Sequence, residues 1–209
     1  MKGIRLEPAQ SLLAGFTRDE LVRLVRRARL DITPPGSRPA LIQQITSHLT
    51  IDDLVDKVHA LFPKPRGKTA PDRLDCMAPG HGAVTVQAGS RAKPDRSDIL
   101  LETDADHCLV LRIATTPLFL ENRWPVIAAG AGTVPHARLY AAFVRPGRVH
   151  PEAQVPPPAT RPFIVDEGEY QLRNGRLHME LSRSGPISFL VAFLRNRGAR
   201  PEYLLEPIV

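Results

Sequence analysis

The sequence predicts an α+β protein, a small N-terminal helical bundle followed by an all-β sandwich or barrel, and three observations carry that expectation. Apolar residues recur at helical spacing from Phe16 to Phe62; a stretch rich in proline and cations follows; beyond residue 80, short apolar runs alternate with Gly, Pro, Asp and Asn clusters. The implied boundaries are a basic module of three or four helices over residues 1–62, a linker over 63–79 and a β-rich domain over 80–209. With 209 residues, 43% hydrophobic and 24% charged, the chain is long enough to bury a sizeable core.

The first element is a short helical turn from Pro8 to Leu13 that ends at Gly15. Thr17-Arg18-Asp19-Glu20 then reads as a capping box, with Phe16 and Leu21 at the two positions of a hydrophobic staple. Leu21, Leu24, Val25 and Ala28 mark the buried stripe of the helix that follows. Thr33-Pro34-Pro35-Gly36 cannot continue it, because proline lacks an amide proton and disfavours helical backbone in its predecessor. Ser37 caps a second helix with Leu41, Ile42, Ile45 and Leu49 apolar; Thr50 and Asp53 start a third, whose apolar face runs from Leu54 to Phe62 until Pro63 stops it. Pro63 to Pro71 mixes proline with Lys64, Arg66 and Lys68 and should form an extended spacer.

Strands are expected at Ala83–Ala88, Ile99–Glu102, Cys108–Ile113, Val126–Ala129, Ala137–Val144, Pro162–Val165 and Ile187–Leu194. The last is apolar on both faces, which implies a central strand covered on both sides. Asn174-Gly175 is a two-residue hairpin turn that fixes its own register. Arg173 faces Arg176, Leu172 faces Leu177 and Tyr170 faces Met179, leaving Gln171 with His178 and Glu169 with Glu180 on the other side. Pro151 to Pro162 reads as a surface loop in polyproline conformation.

Signatures of catalysis are not found. Gly130-Ala131-Gly132 is followed by Thr133-Val134-Pro135 instead of a helix, so it reads as a loop without a phosphate cradle. Asp104-Ala105-Asp106-His107 lacks the glycine and glutamate that complete a calcium loop and reads as a turn between strands. Ser184-Gly185 has no nucleophile-elbow context, and Trp124 sits on an apolar run as core. An enzyme in the β domain would need a pocket built from His81, Asp104, Asp106 or His107. No catalytic residue, metal ligand or cofactor is assigned. Cys76 and Cys108 form neither a disulfide framework nor a ligand pair. Glu7 and Pro8 break what would be the core of a signal peptide, and the longest uncharged apolar stretch, Trp124 to Ala137, is too short and too broken to span a bilayer. A cytoplasmic protein without a membrane segment is expected.

Charge supplies the functional signal. Residues 1–70 carry 12 Lys and Arg against 7 Asp and Glu, whereas residues 71–209 carry 16 against 15, so nearly all of the chain's net charge of +6 is N-terminal. Arg23, Arg26 and Arg27 share one side of the first long helix, and Arg18 and Arg29 extend their field. A localised basic excess favours a polyanionic partner.

Phe16-Thr17, Leu21, Leu30, Gly36, Leu41-Ile42 and Ile45 resemble the SAP motif, a helix-turn-helix of DNA-binding proteins, over Phe16 to Leu49, with Arg29 standing where that family has glycine. The resemblance implies phosphate contacts from Ser37 and Arg38. The run through Asp52-Asp53-Leu54-Val55 is also similar to the death-like, effector-associated adaptor domains of bacterial conflict systems, which implies recruitment of a like domain instead. The sequence thus points to a non-catalytic accessory or assembly protein. Arg18, Arg23, Arg26, Arg27, Arg29, Ser37, Arg38, Lys64, Arg66 and Lys68 would contact double-stranded DNA, and the β domain would meet a protein partner or a second copy. The alternative is a protein–protein adaptor without nucleic acid.

Overall fold

In a computed structural model the described residues are 8–34, 36–62, 80–89, 96–104, 107–135 and 162–208. Four helices come first: α1 (Pro8–Leu13), α2 (Arg18–Ala28), α3 (Arg38–Thr46) and α4 (Ile51–Leu61). Their starts follow from local chemistry. The Thr17 hydroxyl accepts from the Glu20 amide, and the Glu20 carboxylate accepts in return from the Thr17 amide at 2.7 Å, satisfying two amides that would otherwise lack partners. Ser37 and Thr50 cap α3 and α4 through the amides of Ala40 and Asp53.

The strands are β1 (Gly80–Ala88), β2 (Ser97–Glu102), β3 (His107–Ile113), β4 (Val126–Pro135), β5 (Phe163–Arg173), β6 (Arg176–Leu181), β7 (Gly185–Arg197) and β8 (Arg200–Pro207), with a single-turn helix α5 (Leu118–Glu121) between β3 and β4. All neighbours are antiparallel, and the order β1-β2-β3-β4-β8-β7-β6-β5 closes on itself. Two four-strand meanders are therefore sewn together along two seams, β1 with β5 and β4 with β8. An interior of eight strands is just wide enough for side chains to fill it. Val84, Ile99, Leu111, Leu177, Met179 and Phe189 do so with almost no exposure, and Phe119 and Leu120 of α5 stop one end. The rim at the other end carries the β5–β6 and β7–β8 turns.

This architecture corrects the expected small helical bundle followed by an all-β sandwich or barrel: one closed eight-strand barrel dominates, and the helices are not a bundle set apart from it. No second sheet exists among the described residues, because the two meanders pair edge to edge instead of packing face to face. The helices are a layer on the barrel and share its packing. Ile127, Leu194 and Leu204, on the outer face of β4, β7 and β8, belong to one buried cluster with Leu12, Phe16, Leu24 and Leu54. A buried hydrogen bond of 3.2 Å joins Ser11 to Thr115, and His59 lies 3.4 Å from Glu206, tying α1 and α4 to the barrel.

Two strand assignments change. Gly130-Ala131-Gly132 lies inside β4, not in a loop. A Cβ on Gly130 would stand 3.1 Å from the ring of Pro201 and 3.3 Å from that of Tyr203, so the missing side chain lets β8 approach closely. Of the expected strand Pro162–Val165, Phe163 to Val165 form the first part of the 11-residue β5, continuous with the hairpin. That hairpin has the expected register, with Asn174 and Gly175 both at positive φ, 53° and 71°. On β7, Phe189 and Val191 face the interior and Leu194 faces the helices, but Leu190 is 41% exposed, so the strand is covered on both sides over only part of its length. The expected strand Ala137–Val144, the spacer 63–71 and most of the loop 151–162 lie outside the described residues.

Candidate nucleic-acid interface

α2 separates its side chains cleanly. Leu21, Leu24 and Val25 are buried against the other helices, while Arg23, Arg26 and Arg27 point outward. Arg26 and Arg27 occupy the last turn, where the exposed carbonyl ends of the helix favour positive charge. Arg29 is also exposed and closes the helix in the left-handed conformation, φ 54°, donating to the carbonyls of Val25 and Arg26. That is the conformation glycine adopts most easily. Among the described residues, Arg26, Arg27 and Arg29 have no carboxylate within ion-pair distance, and Arg23, whose side chain is 60% exposed, reaches Glu20 only at 3.9 Å.

Other expected contacts are engaged within the chain. Arg38 turns inward, its guanidinium donating to the carbonyl oxygens of Phe16 at 2.8 Å and Ala14 at 2.6 Å, so it closes the end of α1. Ser37 is occupied as the cap of α3. Arg18 donates to the carbonyl of Gly36 at 3.2 Å. Lys64, Arg66 and Lys68 lie outside the described residues.

Sequence reasoning missed the node that mounts α2 on the barrel. Glu20 accepts from Arg195 and, at 3.2 Å, from Arg197, and Glu202 meets the same two arginines at 2.5 and 2.8 Å. The Arg195 guanidinium also lies over the Phe62 ring, 4.6 Å from its centre, and 5.5 Å from that of Phe16. Burial opposes ionisation of Glu20, but the Thr17 amide and the charges of Arg195 and Arg197 outweigh it and hold the carboxyl below its ordinary 4.5. No motif links residues 20, 195 and 202, so only the folded chain brings them together. The sole hint in the sequence was a carboxylate at a capping position.

The other clusters carry no chemistry of that weight. His107 bonds Asp104 at 2.9 Å in the β2–β3 turn, while His81 lines a shallow cavity of about 240 Å³ with Gly80, Gln171, Leu172 and Arg173. The two histidines therefore do not build one pocket. His178 links Ser188 and Glu180, each at 2.8 Å, on the open outer face of β6 and β7, where the Glu180 side chain is 62% exposed. The described residues hold no group of three ligands suited to a metal ion, and none of their helices is long and apolar enough to cross a membrane.

The chain is similar to an uncharacterized protein of Aquifex aeolicus (strain VF5), 29% identical over 133 residues that span 63% of this chain and 80% of that one. No protein-family model and no solved structure matches it.

Proposed function

We propose that this protein binds double-stranded DNA through its phosphates, with α2 as the contacting element and the barrel as its rigid mount. The observation that carries this reading is the set Arg23, Arg26 and Arg27, exposed on one side of α2, with Arg29 exposed at its cap; among the described residues Arg26, Arg27 and Arg29 have no carboxylate within ion-pair distance, and Arg23 reaches Glu20 at 3.9 Å. Like charges three and four residues apart repel on an isolated helix, by a few tenths of a kcal/mol per pair, and an anion laid across them reverses that sign. The left-handed conformation of Arg29, at the place where the SAP pattern carries glycine, gives the resemblance a second point of support. Contacts of this kind fix position on the duplex without reading its sequence.

The interface proposed from the folded chain is narrower than the one expected from the sequence. Arg38 and Ser37 stabilise the helices, and the phosphate contacts fall to the α2 side chains. The test is fluorescence anisotropy of a labelled 24-base-pair duplex titrated with the intact protein over a range of salt. The logarithm of affinity falls linearly with the logarithm of salt, by about 0.9 per phosphate neutralised. Replacing both Arg26 and Arg27 by Glu should flatten that slope by about 2. Absence of duplex binding by the unaltered protein at 50 mM salt overturns the proposal.

A further inference from the structure

The two turns on the rim of the barrel repeat an unusual arrangement. In the β5–β6 hairpin the last paired residues before the turn are Arg173 and Arg176, directly opposite each other. In the β7–β8 hairpin they are Arg197 and Arg200, again directly opposite, across a turn that places Gly198 at φ 63°. Like charges set against each other on one face of an antiparallel pair are destabilising, yet both hairpins use them. All four residues are exposed, and among the described residues neither Arg173, Arg176 nor Arg200 makes an ion pair. Arg197 is the exception, since Glu20 and Glu202 share its guanidinium.

The turns lie at the same end of the barrel, because β5, β6, β7 and β8 are consecutive antiparallel neighbours. They also join the α2 surface. Glu20 is held between Arg197, at 3.2 Å, and Arg23, at 3.9 Å, so Arg23 of α2 stands beside the β7–β8 turn. We propose that the paired-arginine hairpins form a second phosphate-contacting segment, so that the bound polyanion is a duplex long enough to run from α2 across the rim to the β5–β6 turn. This rests on the reading of α2 as a phosphate-binding element.

The span follows from the register. Arg176 is paired with Leu190, seven residues before Arg197 on β7, which at about 3.3 Å per residue is roughly 23 Å. From Arg23 to the Arg29 cap, just beyond the end of α2, adds roughly 9 Å at about 1.5 Å per residue. Laid end to end these make a contour on the order of 30 Å, the length of about nine base pairs at 3.4 Å each.

The experiment compares three forms of the intact protein on 24- and 6-base-pair duplexes: unaltered, Arg173→Glu/Arg176→Glu, and Arg26→Glu/Arg27→Glu. The rim variant should flatten the salt dependence on the long duplex by about 2 and leave binding to the short one within twofold. The single change Arg176→Glu sets an opposite charge against Arg173, so it should keep or raise the melting temperature while weakening long-duplex binding, which separates a lost contact from a lost fold. If the rim variant keeps the full slope while the α2 variant loses it, the rim proposal falls and the α2 reading stands. If only the rim variant loses slope, the α2 reading falls and with it the path from α2 across the rim, leaving a phosphate contact at the hairpins alone. Failure of all forms to bind at low salt removes both.

Discussion

Removing the Glu20 carboxylate should loosen the whole chain, not one helix. The side chain is 12% exposed and anchors α2 to β7 through Arg195, which is equally buried. Glu20→Ala removes half of a capping box, a change of about 1 kcal/mol. It also removes a charge-assisted hydrogen bond with Arg195, about 2 kcal/mol; the bond to the more exposed Arg197 adds only a few tenths. Glu202 still compensates both guanidinium groups, so the larger cost of an orphaned buried charge is avoided. A loss of about 3 kcal/mol, or roughly 6–12 °C in melting temperature for a chain of this size, is expected. Urea unfolding followed by far-UV ellipticity reports mainly the helices, and Trp124 fluorescence reports the barrel core against which that ring packs. Both transitions should move together, because Ile127, Leu194 and Leu204 complete the helical core. The difference from the unaltered protein should be full above pH 4.5 and shrink as pH falls through the lowered pKa of Glu20, where the native carboxylate itself becomes protonated. A shift below about 0.5 kcal/mol, or loss of ellipticity while Trp124 stays native, would refute the shared-core account.

Arg38→Met should cost about 2 kcal/mol in urea titration, by leaving the carbonyls of Ala14 and Phe16 without their donor, and should leave the salt dependence of duplex binding unchanged. A flattened slope would return Arg38 to the interface. Asp166 is 2% exposed; burial opposes its charge, but the Ser184 hydroxyl and the amides of Ser184, Arg183 and Glu167 outweigh that and hold its pKa below the ordinary 3.8. Its contribution is therefore present above pH 3.8 and lost as pH falls through the folded value, so Asp166→Asn should lose about 2 kcal/mol near neutrality and much less near pH 2, checked by thermal melts across that range.

Local chemistry was legible in the sequence and long-range pairing was not. Thr17 with Glu20, and Asn174 with Gly175, act within a few residues, so their spacing alone determined a helix start and a hairpin register. Barrel closure depends on Val84 meeting Gly168 and Val126 meeting Leu205, partners about 80 residues apart that no periodicity encodes. Gly130 read as a loop because glycine has the same signature in a turn and in a strand pressed against Pro201 and Tyr203. At the candidate site, the exposed side of α2 followed from helical spacing, but the fate of Arg38 did not, since backbone carbonyl acceptors leave no mark in a sequence. The Arg173/Arg176 pair followed from the hairpin register, but its match with Arg197/Arg200 did not stand out until the strand order put both turns at one end.

The seams of the barrel also set an order of events during synthesis. A ribosome delivers β1 to β4 first, and until the second meander emerges that sheet has two open edges, a template for pairing with other nascent chains. The helices α1 to α4 precede the barrel in the chain, yet two of the three buried barrel side chains in their core, Leu194 and Leu204, come from β7 and β8, more than 130 residues after α4. A truncated chain ending before β7 would therefore present apolar surface on its helices as well as unpaired strands, and chaperone capture is the expected fate of a stalled product.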